Sequence, residues 1–480
     1  MKNFTDNNRV FERTLSFILL IACKRLFPCA ELRFENSLNS GVYITARGID
    51  LTAAEISSLA AGMQSIINDN LPFTFKKLTK KAAALIFANR PDKLALINRQ
   101  NEEYVDVYEC GGVTDSFYGE LLKSTGDVGD FSLIREDGGM VLVPGKAAYK
   151  RLPKLLEVFR ESNRWIDVLD VENFAQLNTL TLSGGIRKFV RVNEALMDKR
   201  IMDIAQMIYE RRPRIILIAG PSSSGKTTFC NRMSVALRVL GLKPVQLSLD
   251  NYYLDRDKIP LGSDGKPDLE CVEALDTELL GSQLNEIIAG REVQMPEFDF
   301  TVQKRSPITH SLRVAGDAPL LIEGIHGLNE RLTPGIERSL KFKIYISALT
   351  SINIDEHNRI HSSDARLLRR IVRDAAFRGT PAEGTLNMWQ SVRAGEEKNI
   401  FPFQEEADVM INSCLAYELA AMKHLACGAL SSIKPDAACF KTAQRLLKLL
   451  NLVEAADVLD EIPLNSLLRE FVGGSCFYRG

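Results

Sequence analysis

The chain has 480 residues, of which 45% are apolar and 25% charged, and at ~150 residues per domain it has room for two or three domains with cores of their own. Lysine and arginine number 60 against 61 aspartates and glutamates, a net charge of -1. That balance argues against a nucleic-acid coat or a membrane-surface protein, and no apolar run approaches the ~20 residues of a spanning helix.

Residues 14–27 carry a helical apolar stripe that Pro28 ends. Its apolar stretch 17–22 is followed by Lys24 and Arg25 with no small-residue cleavage site. A buried amphipathic helix is therefore expected there rather than a signal peptide. A second helix is expected over 52–69, opened by Thr52. Short β-rich runs follow at 94–97, 104–108, 131–134 and 140–144. Together they predict a compact α+β domain over residues 1–150. Residues 151–212 read as a mainly helical connector, with helices over 152–164 and 192–211 and a turn at Ser183, Gly184 and Gly185.

From residue 213 the pattern changes. Continuous apolar runs of strand length recur at 215–219, 245–249, 320–322, 342–346 and 409–411, separated by helical segments. Strands buried on both faces and alternating with helices predict an α/β unit over 213–415, a parallel sheet with helices on both faces. Residues 416–480 read as a helical extension, with core-type leucine spacing over 443–450. The nine cysteines include no C-x-x-C pair, which suits reduced thiols in a cytoplasmic protein. All five histidines lie at or beyond His310, so no zinc site is expected in the first 309 residues. His357 and His361 are read as polar packing residues and Trp165 as helix-end packing.

The first run leads into Gly220, Pro221, Ser222, Ser223, Ser224, Gly225, Lys226, Thr227 and Thr228. The spacing G-x-x-x-x-G-K-[ST] between a buried strand and a helix is a phosphate-binding P-loop. Its backbone N–H groups would cradle phosphates, Lys226 would reach the β- and γ-phosphates, and Thr227 would offer a hydroxyl to Mg²⁺. In an open α/β sheet, ligands bind beyond the carboxyl ends of the strands. Asp250 follows the second run and could take a proton from an attacking hydroxyl. Glu323 ends the third run, where an acid could support Mg²⁺. Arg366, Arg369, Arg370 and Arg373 recur at helical spacing, with Arg378 beyond, and one-sided guanidiniums suit charge developing on a transferred phosphoryl group.

These residues, with the 249–253, 296–300, 322–324 and 407–409 segments, resemble the uridine kinase/phosphoribulokinase group of P-loop kinases. The resemblance implies transfer of the γ-phosphate of ATP to the 5′-hydroxyl of a nucleoside, in pyrimidine salvage. It implies Asp250 as general base, Glu323 as the Mg²⁺-associated acid, and Arg370, Arg373 and Arg378 in a closing lid. It sets Tyr253 and Glu270 near the sugar, with glutamate replacing the usual aspartate. Phe298 and Gln303 stand where the family places the tyrosine and histidine that contact the base, so the preferred nucleobase is left open. Residues 1–150 resemble the second, editing-type domain of threonyl-tRNA synthetases. There Arg13, Phe17, Phe117 and Leu121 occupy the positions of the editing histidines and cysteine, so the fold carries over and the hydrolysis does not. With the tail from Leu468 to Ser475, the whole resembles a subfamily of bacterial nucleoside kinases. The alternatives are a kinase of another small hydroxyl substrate, such as a sugar phosphate or a pantothenate-like acid, or an ATP-switched RNA-binding regulator. Nothing signals a nucleic-acid or membrane partner, and a homo-oligomer is left open.

Overall fold

The computed structural model describes residues 6–100, 102–262, 265–299, 302–316 and 318–478. Phe300, which ends one of the motifs above, lies outside them. In the first 150 residues, α1 (Asp6–Leu26) and α2 (Ala53–Asn68) pack on an antiparallel sheet of order β1-β2-β7-β6. Its strands are β1 (Glu31–Leu38), β2 (Gly41–Arg47), β6 (Phe131–Glu136) and β7 (Gly139–Pro144). A second antiparallel sheet joins β3 (Thr74–Thr79), β4 (Tyr104–Cys110) and β5 (Val113–Asp115), beside α3 (Lys80–Ile86) and α4 (Pro91–Arg99).

Helix α1 departs from the amphipathic expectation, because residues 14–23 are all buried. A helix enclosed on every side is a core helix, and its apolar side chains meet Phe73, Cys110, Phe117 and Val128 from other elements. The run 94–97 is not a strand but the end of α4. A four-residue apolar run fits either state; Pro91 in the first turn and Asp92 beside it settle it as helix.

Lys93 of α4 is itself buried, and its ammonium pairs with Asp115 and donates to the Ser116 carbonyl at 3.2 Å. Asp115 also contacts His357 Nδ1 at 2.5 Å, and Asn358 donates to the Ser116 carbonyl at 3.0 Å. Burial alone would raise the Asp115 carboxyl, but Lys93 and His357 outweigh it and hold it well below the usual range. His357 thus serves packing, tying the first 150 residues to the segment between Ser347 and Ser362.

Helices α5 (Pro153–Leu169), α6 (Phe174–Leu182) and α7 (Ile186–Arg211) follow, with the 183–185 turn between α6 and α7. Trp165 packs against the core near the end of α5. The central sheet has β8 (Ile215–Ala219), β9 (Val245–Ser248), β12 (Leu320–Glu323), β13 (Lys341–Ser347) and β14 (Val409–Asn412). All its pairs are parallel, in the order β14-β13-β8-β12-β9. Strand β8 is buried throughout, with Ile216 and Ile218 in one core and Ile215 and Leu217 in another. Period-two alternation between two cores is what a sheet covered on both faces requires. Its helices are α8 (Lys226–Val239), α9 (Thr277–Ile288), α10 (Ser362–Phe377) and α11 (Ala382–Asn399), and a hairpin of β10 (Val293–Asp299) and β11 (Lys304–Leu312) stands apart from it.

After the sheet come α12 (Glu418–Ser431), α13 (Phe440–Asn451) and the single turn α14 (Arg469–Val472). Residues 452–468 are less helical than expected: Val453, Ala456, Val458 and Ile462 are buried from irregular backbone that leads into Pro463. These side chains share one core with α6, α7 and β8, so the flanking helical regions close over the sheet.

Removing one member of a buried ion pair costs ~3–5 kcal/mol because its partner stays buried and charged. Asp115→Ala should therefore lower the thermal midpoint by several degrees in calorimetry, and Lys93→Met with Asp115→Leu should restore most of it. An unchanged midpoint in the single variant would show that the network contributes nothing.

Candidate active site

The loop from Gly220 to Gly225 joins β8 to α8. A Cβ on Gly220 would lie 1.9 Å from the Ile346 carbonyl oxygen, so only glycine lets the loop leave this close to β13. Lys226 curls over the loop and donates to the carbonyls of Gly220 at 2.9 Å and Pro221 at 3.1 Å. Burial lowers its ammonium from the usual value, with Glu323 and Asp250 pulling the other way. The buried hydroxyls of Ser223 and Ser224 make no hydrogen bond among the described residues. Buried donors of this kind at a helix N-terminus suit the oxygens of a phosphate chain.

Two carboxyls stand at neighbouring strand ends. Asp250 lies in the short turn after β9, and Glu323 is the last residue of β12, in register with Ile218 of β8. Ser248 links them: its hydroxyl donates to Glu323 at 2.9 Å and accepts from the Asp250 N–H at 3.3 Å. Glu323 is buried and pushed up to about 7, first by burial and then by Asp250. Asp250 keeps exposed surface although protein crowds around it. That crowding raises its carboxyl, with Lys226 and Arg378 opposing. A raised carboxyl beside a phosphate site fits proton transfer. Thr227 is exposed on the first turn of α8. Its hydroxyl and the Glu323 carboxylate are hard oxygen donors, a partial set that suits Mg²⁺ when phosphates complete its shell.

The arginine stripe divides. Arg366 is buried against Glu396, 2.7 Å from Nη2 to Oε2, and donates to the Ser222 carbonyl at 3.0 Å. Arg369 is buried against Glu418 at 2.5 Å and donates to the Ser413 carbonyl at 2.7 Å. These two are anchors. Arg370 donates to the Ser222 hydroxyl at 2.9 Å and to Asp374 at 3.2 Å. Arg373 pairs with Asp374 at 2.8 Å, and Arg378, with 59% of its side chain exposed, approaches the same Asp374 carboxylate at 3.7 Å. Three cations around one carboxylate leave an excess of positive charge beside the loop.

At the far side, the rings of Tyr253 and Phe298 meet at 5.8 Å between centroids, and the Tyr253 hydroxyl donates to the Leu269 carbonyl at 3.0 Å. Gln303 is apart from this pair, exposed at the hairpin turn with φ 55°, and its side-chain oxygen accepts from Arg256. Glu270 lies under α11, where a Cβ on Gly395 would fall 2.4 Å from the Glu270 Cβ. Burial and then Glu396 push Glu270 up to about 7, with Arg370 and Lys226 opposing. Ser248, Gly395, Glu396 and Glu418 escape sequence reasoning, because each contributes a single contact from an element with no motif.

A carboxyl raised in the fold stabilises it fully below the unfolded value, near 4.5, and loses that contribution as pH rises through about 7. Thermal midpoints of the ligand-free protein should accordingly fall less between about pH 5 and about pH 8 in Glu270→Gln than in wild type. Parallel profiles would show that Glu270 titrates as an ordinary carboxyl.

Residues 215–420 match the family model described as Phosphoribulokinase / Uridine kinase family. A uridine kinase of Deinococcus deserti is 29% identical over 201 residues, covering 42% of this chain and 87% of that protein. Uridine-cytidine kinase A of Dictyostelium discoideum is 28% identical over 204 residues, 42% of this chain and 36% of that one. A solved structure, a possible uridine kinase from Bacillus stearothermophilus, is 19% identical with a TM-score of 0.32, covering 45% of this chain and 99% of that chain. Residues 215–420 thus form a P-loop kinase domain of the phosphoribulokinase/uridine kinase family, a family of ATP-dependent phosphotransferases.

Proposed function

We propose that the protein is an ATP-dependent nucleoside kinase that phosphorylates the 5′-hydroxyl of a uridine- or cytidine-like nucleoside. The observation that carries this reading is the convergence of a phosphate cradle, the raised carboxyl of Asp250 and an unbalanced arginine cluster at adjoining strand ends. Gly220 to Thr228 hold the triphosphate, with Lys226 on its β- and γ-phosphates. Asp250 accepts the hydroxyl proton as the substrate oxygen bonds to the γ-phosphorus and the bond to the β-phosphate oxygen breaks. Arg370, Arg373 and Arg378 neutralise the charge that spreads over the phosphoryl oxygens. Thr227 and Glu323 would hold Mg²⁺, which supplies further charge neutralisation when bound. Tyr253 and Glu270 are assigned to the sugar and Phe298 to the base; Gln303, which the resemblance also assigns to the base, stands apart at the exposed hairpin turn, bound to Arg256.

The chain divides, in this reading, into an α+β domain (1–150), a helical connector (151–212), the kinase domain (213–415) and a C-terminal extension (416–480). The first is a threonyl-tRNA-synthetase-like domain. Support comes from the meeting of its four altered positions: Phe17 lies 5.0 Å from Phe117, Arg13 donates to the Glu120 carbonyl at 2.6 Å, and Leu121 packs on the same core. If the resemblance holds, an aromatic contact and a bound guanidinium would occupy the place where a hydrolytic site needs open histidines and a thiol. We place the enzyme in the cytoplasm and leave a homo-oligomer open.

ADP release from ATP should rise with one or more nucleosides and not with tRNA. Asp250→Asn should lose about 10²–10⁴-fold in turnover while still binding ATP. Stimulation by tRNA alone, or a loss confined to ATP affinity, would contradict the assignment. Aromatic faces accept any flat base, so kcat/KM should favour uridine over cytidine or a purine nucleoside by no more than ~100-fold. A strictly uridine-specific wild type would show that some residue other than Phe298 and Gln303 reads the base.

A further inference from the structure

The tail from Leu467 to Tyr478 lies on the phosphate cradle. Glu470, in the one-turn helix α14, accepts from the Thr228 hydroxyl at 2.8 Å and from the Thr228 backbone N–H at 3.3 Å through the same oxygen. The Tyr478 hydroxyl is 3.0 Å from that Thr228 oxygen. A Cβ on Gly225 would lie 3.9 Å from the Leu467 side chain, so the tail also touches the loop itself. The tail is firmly seated: Leu467, Leu468 and Phe471 are fully buried, and the Arg369 guanidinium lies 5.0 Å from the centre of the Phe471 ring. Glu470 makes no ion pair among the described residues, yet its charge is felt at Lys226, Arg369 and Arg378.

A carboxylate on the N–H and hydroxyl of the first turn of α8 uses the donors that a phosphate oxygen would use. A triphosphate and this carboxylate carry like charges and need the same hydrogens. We propose that the C-terminal tail is an autoinhibitory strap, in which Glu470 mimics a nucleotide phosphate and must leave Thr228 for ATP to bind fully. This rests on reading Gly220 to Thr228 as the ATP cradle. ATP then sees only the fraction of molecules whose tail is off, and its apparent affinity falls by that fraction.

The test is calorimetric titration of the full chain with ATP, in wild type, Glu470→Ala, Glu470→Gln and Lys226→Ala. Glu470→Ala should tighten ATP about 10-fold, a gain of about 1.4 kcal/mol, and Glu470→Gln should move the same way by less. In wild type, ATP should speed hydrogen exchange of the 467–478 amides. ATP affinity that is unchanged or weaker in Glu470→Ala, or exchange that slows with ATP, would overturn the strap. Lys226→Ala separates the two readings. If it loses ATP binding while Glu470→Ala gains nothing, the cradle stands and the strap alone fails. If it binds ATP normally, the cradle reading fails and takes the strap with it.

Discussion

Burying charge along α10 is the constraint on which the rest of the structure depends. Ten of the eleven residues from Asp364 to Asp374 are buried, among them Arg366, Arg369 and Arg373. A guanidinium removed from water needs a carboxylate with good geometry, or its desolvation unfolds the site. Arg373 uses its neighbour Asp374, but the other partners come from different parts of the chain. Glu396 on α11 holds Arg366, and Glu418 at the start of α12 holds Arg369. Asp364 accepts from Arg9 of α1 at 2.8 Å and from Arg445 of α13 at 3.1 Å. One helix therefore fastens the N-terminal region, the central sheet and the C-terminal extension to one another.

The same pairs set the shape of the phosphate loop. Glu396 takes the Ser222 N–H at 3.0 Å while its partner Arg366 takes the Ser222 carbonyl. The loop is thus held at both backbone groups of one residue, and Arg370 reaches the hydroxyl of that residue from the next turn of α10. Arg366 and Arg369 are anchored by distant glutamates, whereas Arg370, Arg373 and Arg378 share the single carboxylate of Asp374. The division of labour follows from which helix turn meets a carboxylate. The raised carboxyls of Glu270 and Glu323 and the lowered ammonium of Lys226 belong to the same arrangement. Protein has displaced water around charges of both signs, which strengthens every electrostatic contact made there.

Much of this was legible in the sequence where the signal is local. Continuous apolar runs announce the five parallel strands, since a strand covered on both faces has no polar side to show. The phosphate loop is legible because glycine, lysine and threonine at that spacing serve few other ends. The ends of the apolar runs point to Asp250 and Glu323, and the helical period to the arginine face. The partners of that face were not legible: Glu396 and Glu418 lie 30 and 49 residues from the arginines they hold. The hairpin of β10 and β11 also escaped, because Pro296 and Pro307 interrupt its strands and most of β11 is polar and exposed. Strand β3 is exposed along nearly its whole length and shows no alternation to read. The run 94–97 misled because four apolar residues carry no period, and Glu470 lay in a tail whose contact with Thr228 is purely tertiary.

In the proposed reaction these groups move a phosphoryl group to a nucleoside hydroxyl rather than to water. The most direct measurement is the identity of the product when ATP labelled at the γ-phosphate is incubated with the full chain and a mixture of nucleosides. Phosphorus NMR and mass spectrometry should find the label as a nucleoside 5′-monophosphate, formed in step with ADP. Label recovered only as inorganic phosphate, with every nucleoside unchanged, would contradict it.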